Sequence, residues 1–118
     1  MPPSIHPVHL ITVLRQKSLT PVIVFLTSRR SCDEAFQAFE STTETLSQAR
    51  QDVITNVLSE LTAAYPSIQD HPLRQMVTAH GVAAHHAGHL PSWKIAIEEL
   101  MRRGCLDAVF ATTTLAAG

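Results

Sequence analysis

At 118 residues the chain falls within the roughly 100–200 of one domain, and its 45% hydrophobic content and mean hydropathy of +0.09 supply a core and exclude a disordered segment. Nine Lys and Arg against ten Asp and Glu leave a formal charge of -1, which excludes a general polyanion binder, so any nucleic-acid contact must be local. The longest apolar runs, such as Pro21 to Leu26, are too short to span a bilayer, no signal-like stretch opens the chain, and Cys32 and Cys105 form no CxxC. The expectation is a soluble, cytoplasmic chain with two core thiols.

Taken in order, Pro7 suits a first helical position, and Leu10, Val13 and Leu14 follow at helical spacing to an end near Ser18. Pro21 to Leu26 is a continuous β-branched and aromatic run, the pattern of a strand covered on both faces. Ser31 with Glu34 reads as a capping box opening a helix whose apolar face is Cys32, Ala35, Phe36 and Phe39. Ser41 with Glu44 repeats the signal ahead of a longer helix carrying Leu46, Val53, Ile54, Val57 and Leu61 to about Ala64. Asp70 and Pro72 start a short helix through Leu73, Met76 and Val77, which leads to a second strand over Gly81–His85. Pro91 opens the clearest helix, with Trp93, Ile97, Leu100 and Met101 inward, Glu98/Arg102 and Glu99/Arg103 as outer pairs, and Gly104 as its stop. Leu106 to Ala111 is a third strand, followed by a loop turning into a helix. Strands separated by helices and apolar throughout predict an α/β domain with a parallel sheet and right-handed crossovers.

Ligands of an open parallel sheet bind beyond the carboxyl ends of its strands. Three segments fall there: Thr27, Ser28, Arg29 and Arg30 after the first strand, His85 to His89 after the second, and Thr112 to Thr114 after the third. Each precedes a helix, whose free N–H groups and dipole favour an anion such as phosphate, with hydroxyls and arginines to complete the site. Each segment taken alone also reads as an ordinary helix cap with a solvated loop.

Four of the seven histidines, His80, His85, His86 and His89, fall within ten residues. A metal centre is disfavoured: the spacing is not HExxH, no carboxylate lies between Val77 and Ile97, and adjacent histidines on a strand point to opposite faces. The expectation is one buried histidine that organises the loop, with the others facing the cleft, while His6, His9 and His71 are surface or cap residues. No nucleophile constellation appears, and with no GxxxxGK[ST] the chain has no phosphate-gripping loop of its own.

The segments PVIVFLTSRRSC, GVAAHHAGHLP and LDAVFATTTLAAG, in this order and spacing, resemble the second RecA-like lobe of superfamily two DExH-box helicases of the superkiller branch. The first is similar to motif IV, HHAG-x-LP to a hallmark of the branch, and the last to motif V. The resemblance covers the chain from about residue 8 onward. It implies a RecA-like three-layer α/β sandwich with a mainly parallel sheet, incomplete at its C-terminus, so that residues 1–118 form a single partial domain, a fragment ending within motif V.

By the same resemblance Ser28, Arg29, Arg30, Thr112 and Thr114 face the phosphates of a single strand of RNA or DNA, His86 and Gly88 lie along the same groove, and Gly118 is close to ATP. ATP and Mg would belong to the full-length parent, held with the first RecA-like lobe of the same chain. The Walker A and DExH residues and the arginine finger are absent here, so the fragment alone is expected to be inactive and to need no cofactor, and its bare apolar surface suggests self-association. A non-catalytic nucleic-acid or protein binding module would use the same strand-end groove, and reading the parent gene for ATP motifs separates the two.

Overall fold

A computed structural model describes residues 6–112. Helix α1 (Pro7–Gln16) starts with Pro7, and His6 caps it by accepting the Val8 N–H at 3.2 Å. Then follow β1 (Val22–Phe25), α2 (Arg29–Gln37) with a 3-10 turn over Ala38–Ser41, α3 (Gln48–Thr62), a second 3-10 turn over Pro66–Ile68, α4 (Arg74–His80), β2 (Val82–His85), α5 (Pro91–Arg102) and β3 (Ala108–Ala111). The three strands form one parallel sheet in the order β1-β3-β2. Helix and strand order match the sequence reading, and the layers are those expected of a RecA-like α/β unit.

Three helix starts differ from expectation, α4 among them, which opens at Arg74 after Leu73 and not at Asp70 or Pro72. Ser28, three residues before Ser31, caps α2 by accepting the Ser31 N–H at 3.0 Å. Ser47 caps α3, because Ser41 is already spent closing the 3-10 turn on the Ala38 carbonyl at 3.0 Å. Leu46 therefore precedes the helix and drops into the core, its N–H on the Ala79 carbonyl at 2.7 Å. Gly81 ends α4 at φ 66°, a backbone conformation that favours glycine, and a Cβ there would meet Leu46 Cδ1 at 2.8 Å and oblige that side chain to shift.

Alternation along the strands assigns the layers. Val24, Phe110 and Ala84 share one face, where Phe39 packs on Phe110 at a ring separation of 6.1 Å beside the buried Phe36 and Ile11. Ile23, Val109 and Ala83 share the other, which α5 covers with Trp93, Ile97 and Leu100. Helix α5 lies over β2 and β3, and Ile23 and Phe25 of the edge strand remain 42% and 46% exposed. A continuous apolar run thus reads here as a strand covered on one face only. In α5 the Glu99/Arg103 pair forms as expected, whereas Arg102 also bonds Glu99 and Glu98 turns back to His85. Both cysteines are free and buried, and burial raises both thiols above their ordinary pKa.

At the amino end of the central strand Asp107 joins five segments. Its N–H bonds the Gly81 carbonyl at 2.7 Å and its carbonyl accepts the Val22 N–H at 2.9 Å, tying β3 to both neighbours. Its carboxylate, 10% exposed, takes Arg15 of α1 at 2.7 Å and Arg50 of α3 at 2.9 and 3.0 Å. Arg15 continues to the His80 carbonyl at 2.7 Å and Arg50 to that of Cys105 at 3.3 Å. Burial raises the Asp107 pKa, but the hydrogen bonds and charges of the two arginines outweigh it and hold the carboxyl below its ordinary range.

A depressed folded-state pKa contributes stability that is present above the unfolded value of about 4 and is lost as the pH falls through the folded value. Asp107→Asn is expected to destabilise the chain by about 2–3 kcal/mol near neutral pH, at the low end for a broken buried pair because both arginines keep part of their hydration. Urea denaturation of both proteins at neutral pH and at about pH 3 checks it, the difference narrowing in acid.

Candidate nucleic-acid interface

The strands are matched in length and register, so their carboxyl ends are level: Phe25 and His85 both pair with Ala111. The three sequence-predicted segments consequently leave the sheet side by side, Thr112 between the other two. Arg29 and Arg30 begin α2, both exposed. Arg30 is engaged by Glu34 at 2.8 Å, whereas among the described residues Arg29 pairs with no carboxylate. The Ser28 hydroxyl is committed to the cap and donates to Ser31 Oγ at 2.8 Å, so what this segment offers an anion is the helix N-terminus and the Arg29 guanidinium. Thr112 is half-buried at the end of β3. Thr114 and Gly118 lie outside the described residues.

The histidines differ from expectation, since three of the four, His80, His85 and His86, are buried and His89 is half-buried. His80 donates Nδ1–H to the Glu44 carbonyl at 3.1 Å. His85 turns Nε2 to Glu98 at 3.1 Å under α5, with Nδ1 buried and unpartnered. His86, 4% exposed, accepts the Gly88 N–H on Nδ1 at 3.0 Å and therefore carries its proton on Nε2, which it donates to Asp33 Oδ1 at 2.8 Å. His89 stacks on the His86 ring at 4.0 Å with its side chain 13% exposed, and its Nδ1 has no partner. Burial, then the neighbouring His86, lowers the His89 pKa to about 4. His71 bonds the Leu73 N–H at 3.1 Å, as a cap residue would, and also stacks on Trp93 at 3.8 Å.

Asp33 escaped the sequence reading because it lies 53 residues from His86 and nothing in its local context marks it. It also supplies the carboxylate whose absence from the histidine segment argued against a metal: donor atoms of Asp33, His86 and His89 lie within 4.8 Å of one another. A metal on His86 Nε2 would have to displace the proton held there and turn Nδ1–H against the Gly88 N–H, so the hydrogen bonds present favour a proton bridge. Gly88 is exposed, and a Cβ on it would press on the His86 ring at 3.0 Å and reach Arg29 Cδ at 3.6 Å.

This edge, with its HHAG loop against an arginine-bearing helix start, has counterparts of known class. The chain is 40% identical over 106 residues to the DExH-box ATP-dependent RNA helicase DExH15, chloroplastic, of Arabidopsis thaliana, covering 89% of this chain and 9% of that protein. It is 36% identical over 113 residues to the probable helicase HelY of Mycobacterium leprae, covering 92% and 12%, and 30% identical over 112 residues to the superkiller complex protein 2 of Mus musculus, covering 92% and 9%. Over about nine tenths of its own length the chain is thus similar to DExH-box helicases, a superkiller complex protein among them. It spans about a tenth of the length of the helicases it matches. No family model matches it. No helix among the described residues is long and apolar enough to cross a membrane.

An imidazole with a lowered pKa is protonated more readily in the unfolded chain, so it withdraws stability as the pH falls from about 6.5 toward the folded value. In this chain a proton NMR titration is expected to find His89 neutral at pH 6 with its midpoint near 4. A midpoint near that of a free histidine would mean the ring stands in solvent.

Proposed function

We propose that this chain is part of the second motor lobe of an ATP-dependent helicase and holds the backbone of a single strand of RNA or DNA along the carboxyl edge of its sheet. The observation that carries the reading is the level edge: registered strands bring the start of α2 with Arg29, the end of β3 with Thr112 and the His86–Gly88 loop into one row. A strand backbone repeats its charge at regular intervals, and the start of α2 with the exposed Arg29 guanidinium would match it without a general excess of basic residues.

The lobe is partial in this reading, and the crossovers support it. From β1 the chain crosses to the right with its helices on the Phe110 face, and from β2 it returns one place to the left with α5 on the Val109 face. Right-handed connections put a further leftward crossover from β3 on the α5 face, over exposed Ile23 and Phe25, with a new strand beside the free edge of β1. A shallow cavity of about 200 Å³ lined by Ile23, Met101 and Val109 marks the same uncovered surface. Uncovered, it is a surface for self-association. With no GxxxxGK[ST] loop in this sequence, gripping the phosphates of ATP would fall to the first lobe of a longer parent, with which this one would close.

Fluorescence anisotropy with labelled single-stranded RNA and DNA at low salt tests the edge. Arg29→Ala should weaken binding and reduce the slope of log affinity against log salt by about 1, as expected for one lost phosphate contact. Thr112→Ala should also weaken it. Unchanged affinity in both variants would remove the edge from consideration.

A further inference from the structure

The proposed edge has two halves without sequence continuity, the start of α2 and the loop 86–89, and one carboxylate joins them. Asp33 stands one turn beyond Arg29 on α2 and accepts the His86 Nε2–H at 2.8 Å. His86 closes onto its own loop through the Gly88 N–H at 3.0 Å, and Gly88 lies beside the Arg29 stem, where an added Cβ would reach Cδ at 3.6 Å. The Asp33–His86 bond thus ties the loop to α2 one turn from Arg29, with the imidazole buried and stacked by His89 at 4.0 Å.

Packing does not require the carboxylate. Helix α2 is already seated on the sheet by Cys32, Ala35 and Phe36, and the Asp33 side chain is 39% exposed. A negative charge so close to Arg29 also opposes a phosphate by simple electrostatics. Its presence at a strand-binding edge therefore calls for a compensating geometric role.

We propose that Asp33 is a positioning residue: it touches no strand itself, and by fixing His86 it locks the loop 86–89 onto α2 so that Arg29 and the Gly88 backbone meet successive phosphates as one rigid unit. This rests on the strand-binding reading above. The two accounts of Asp33 predict opposite signs. If it acts only through its charge, Asp33→Ala tightens strand binding; if it positions, Asp33→Ala weakens it by roughly five- to tenfold, the net worth of one intramolecular hydrogen bond. Asp33→Asn removes the charge and keeps a side-chain carbonyl for the His86 Nε2–H, so it should bind at least as well as the unaltered chain.

The test titrates labelled single-stranded RNA into the unaltered chain, Asp33→Ala and Asp33→Asn, and follows hydrogen exchange of the Gly88 amide in each. Weakened binding and faster Gly88 exchange in Asp33→Ala, both restored by Asp33→Asn, support the role. Binding by Asp33→Ala as tight as or tighter than that of the unaltered chain overturns it while leaving the strand reading standing. Failure of the unaltered chain to bind any strand overturns both, whatever the Gly88 amide does.

Discussion

The level edge at one end of the sheet depends on a buried carboxylate at the other. Asp107 is bonded through its backbone to both neighbouring strands and through its side chain to α1 and α3. These bonds set Val22 and Val82 opposite Ala108, and because the three strands are equally long, a common start gives a common finish at Phe25, Ala111 and His85. A slip of one residue in a strand would turn its side chains to the opposite faces. The same slip would take Arg29 or Gly88 out of the row.

Ionic contacts elsewhere serve a different purpose. Arg30 with Glu34, both exposed, and the half-buried Glu99 with Arg102 and Arg103 are neighbours on single helices, and such pairs contribute a few tenths of a kcal/mol each. The Asp107 node and the Asp33–His86 bridge join segments distant in sequence, and each has at least one partner withdrawn from water. Breaking either would leave a donor or acceptor without a substitute, the costly side of a hydrogen bond. The apolar layers hold the elements together, and these two bridges set their alignment.

Fold class was legible because helical and strand periodicities are local, and the element order follows from them directly. The helix starts were less so: with Ser28, Ser31, Ser41 and Ser47 all able to cap, spacing alone does not choose, and the chain uses the first and the last. Nor does an apolar run such as Pro21–Leu26 say which faces are covered, since that depends on how far α5 extends across the sheet. At the candidate site, the positions of Arg29, Gly88 and Thr112 at strand ends could be read from sequence. The roles of the histidines could not, because His86 is defined by Asp33 from another helix and His85 by Glu98 from the next. Asp107 left a signal, a lone acid in an otherwise apolar strand, but its arginines come from 92 and 57 residues away.

Near-neutral charge is consistent with this construction. Of the charged residues on the first turns of α2, Arg30 is tied to Glu34 and Asp33 to His86, which leaves Arg29 and the helix N-terminus facing outward. In the proposed reading a surface that neutralises so few phosphates would release few counterions, so its affinity would be modest and depend weakly on salt. Where each contact contributes little, its placement matters more than its strength, because a guanidinium free to wander pays its ordering entropy on binding. A rigid bridge between two loops costs that entropy once, during folding. An acidic residue beside a phosphate contact is then reasonable: the Coulomb energy that Asp33 forfeits is offset by the order it imposes on Arg29 and Gly88.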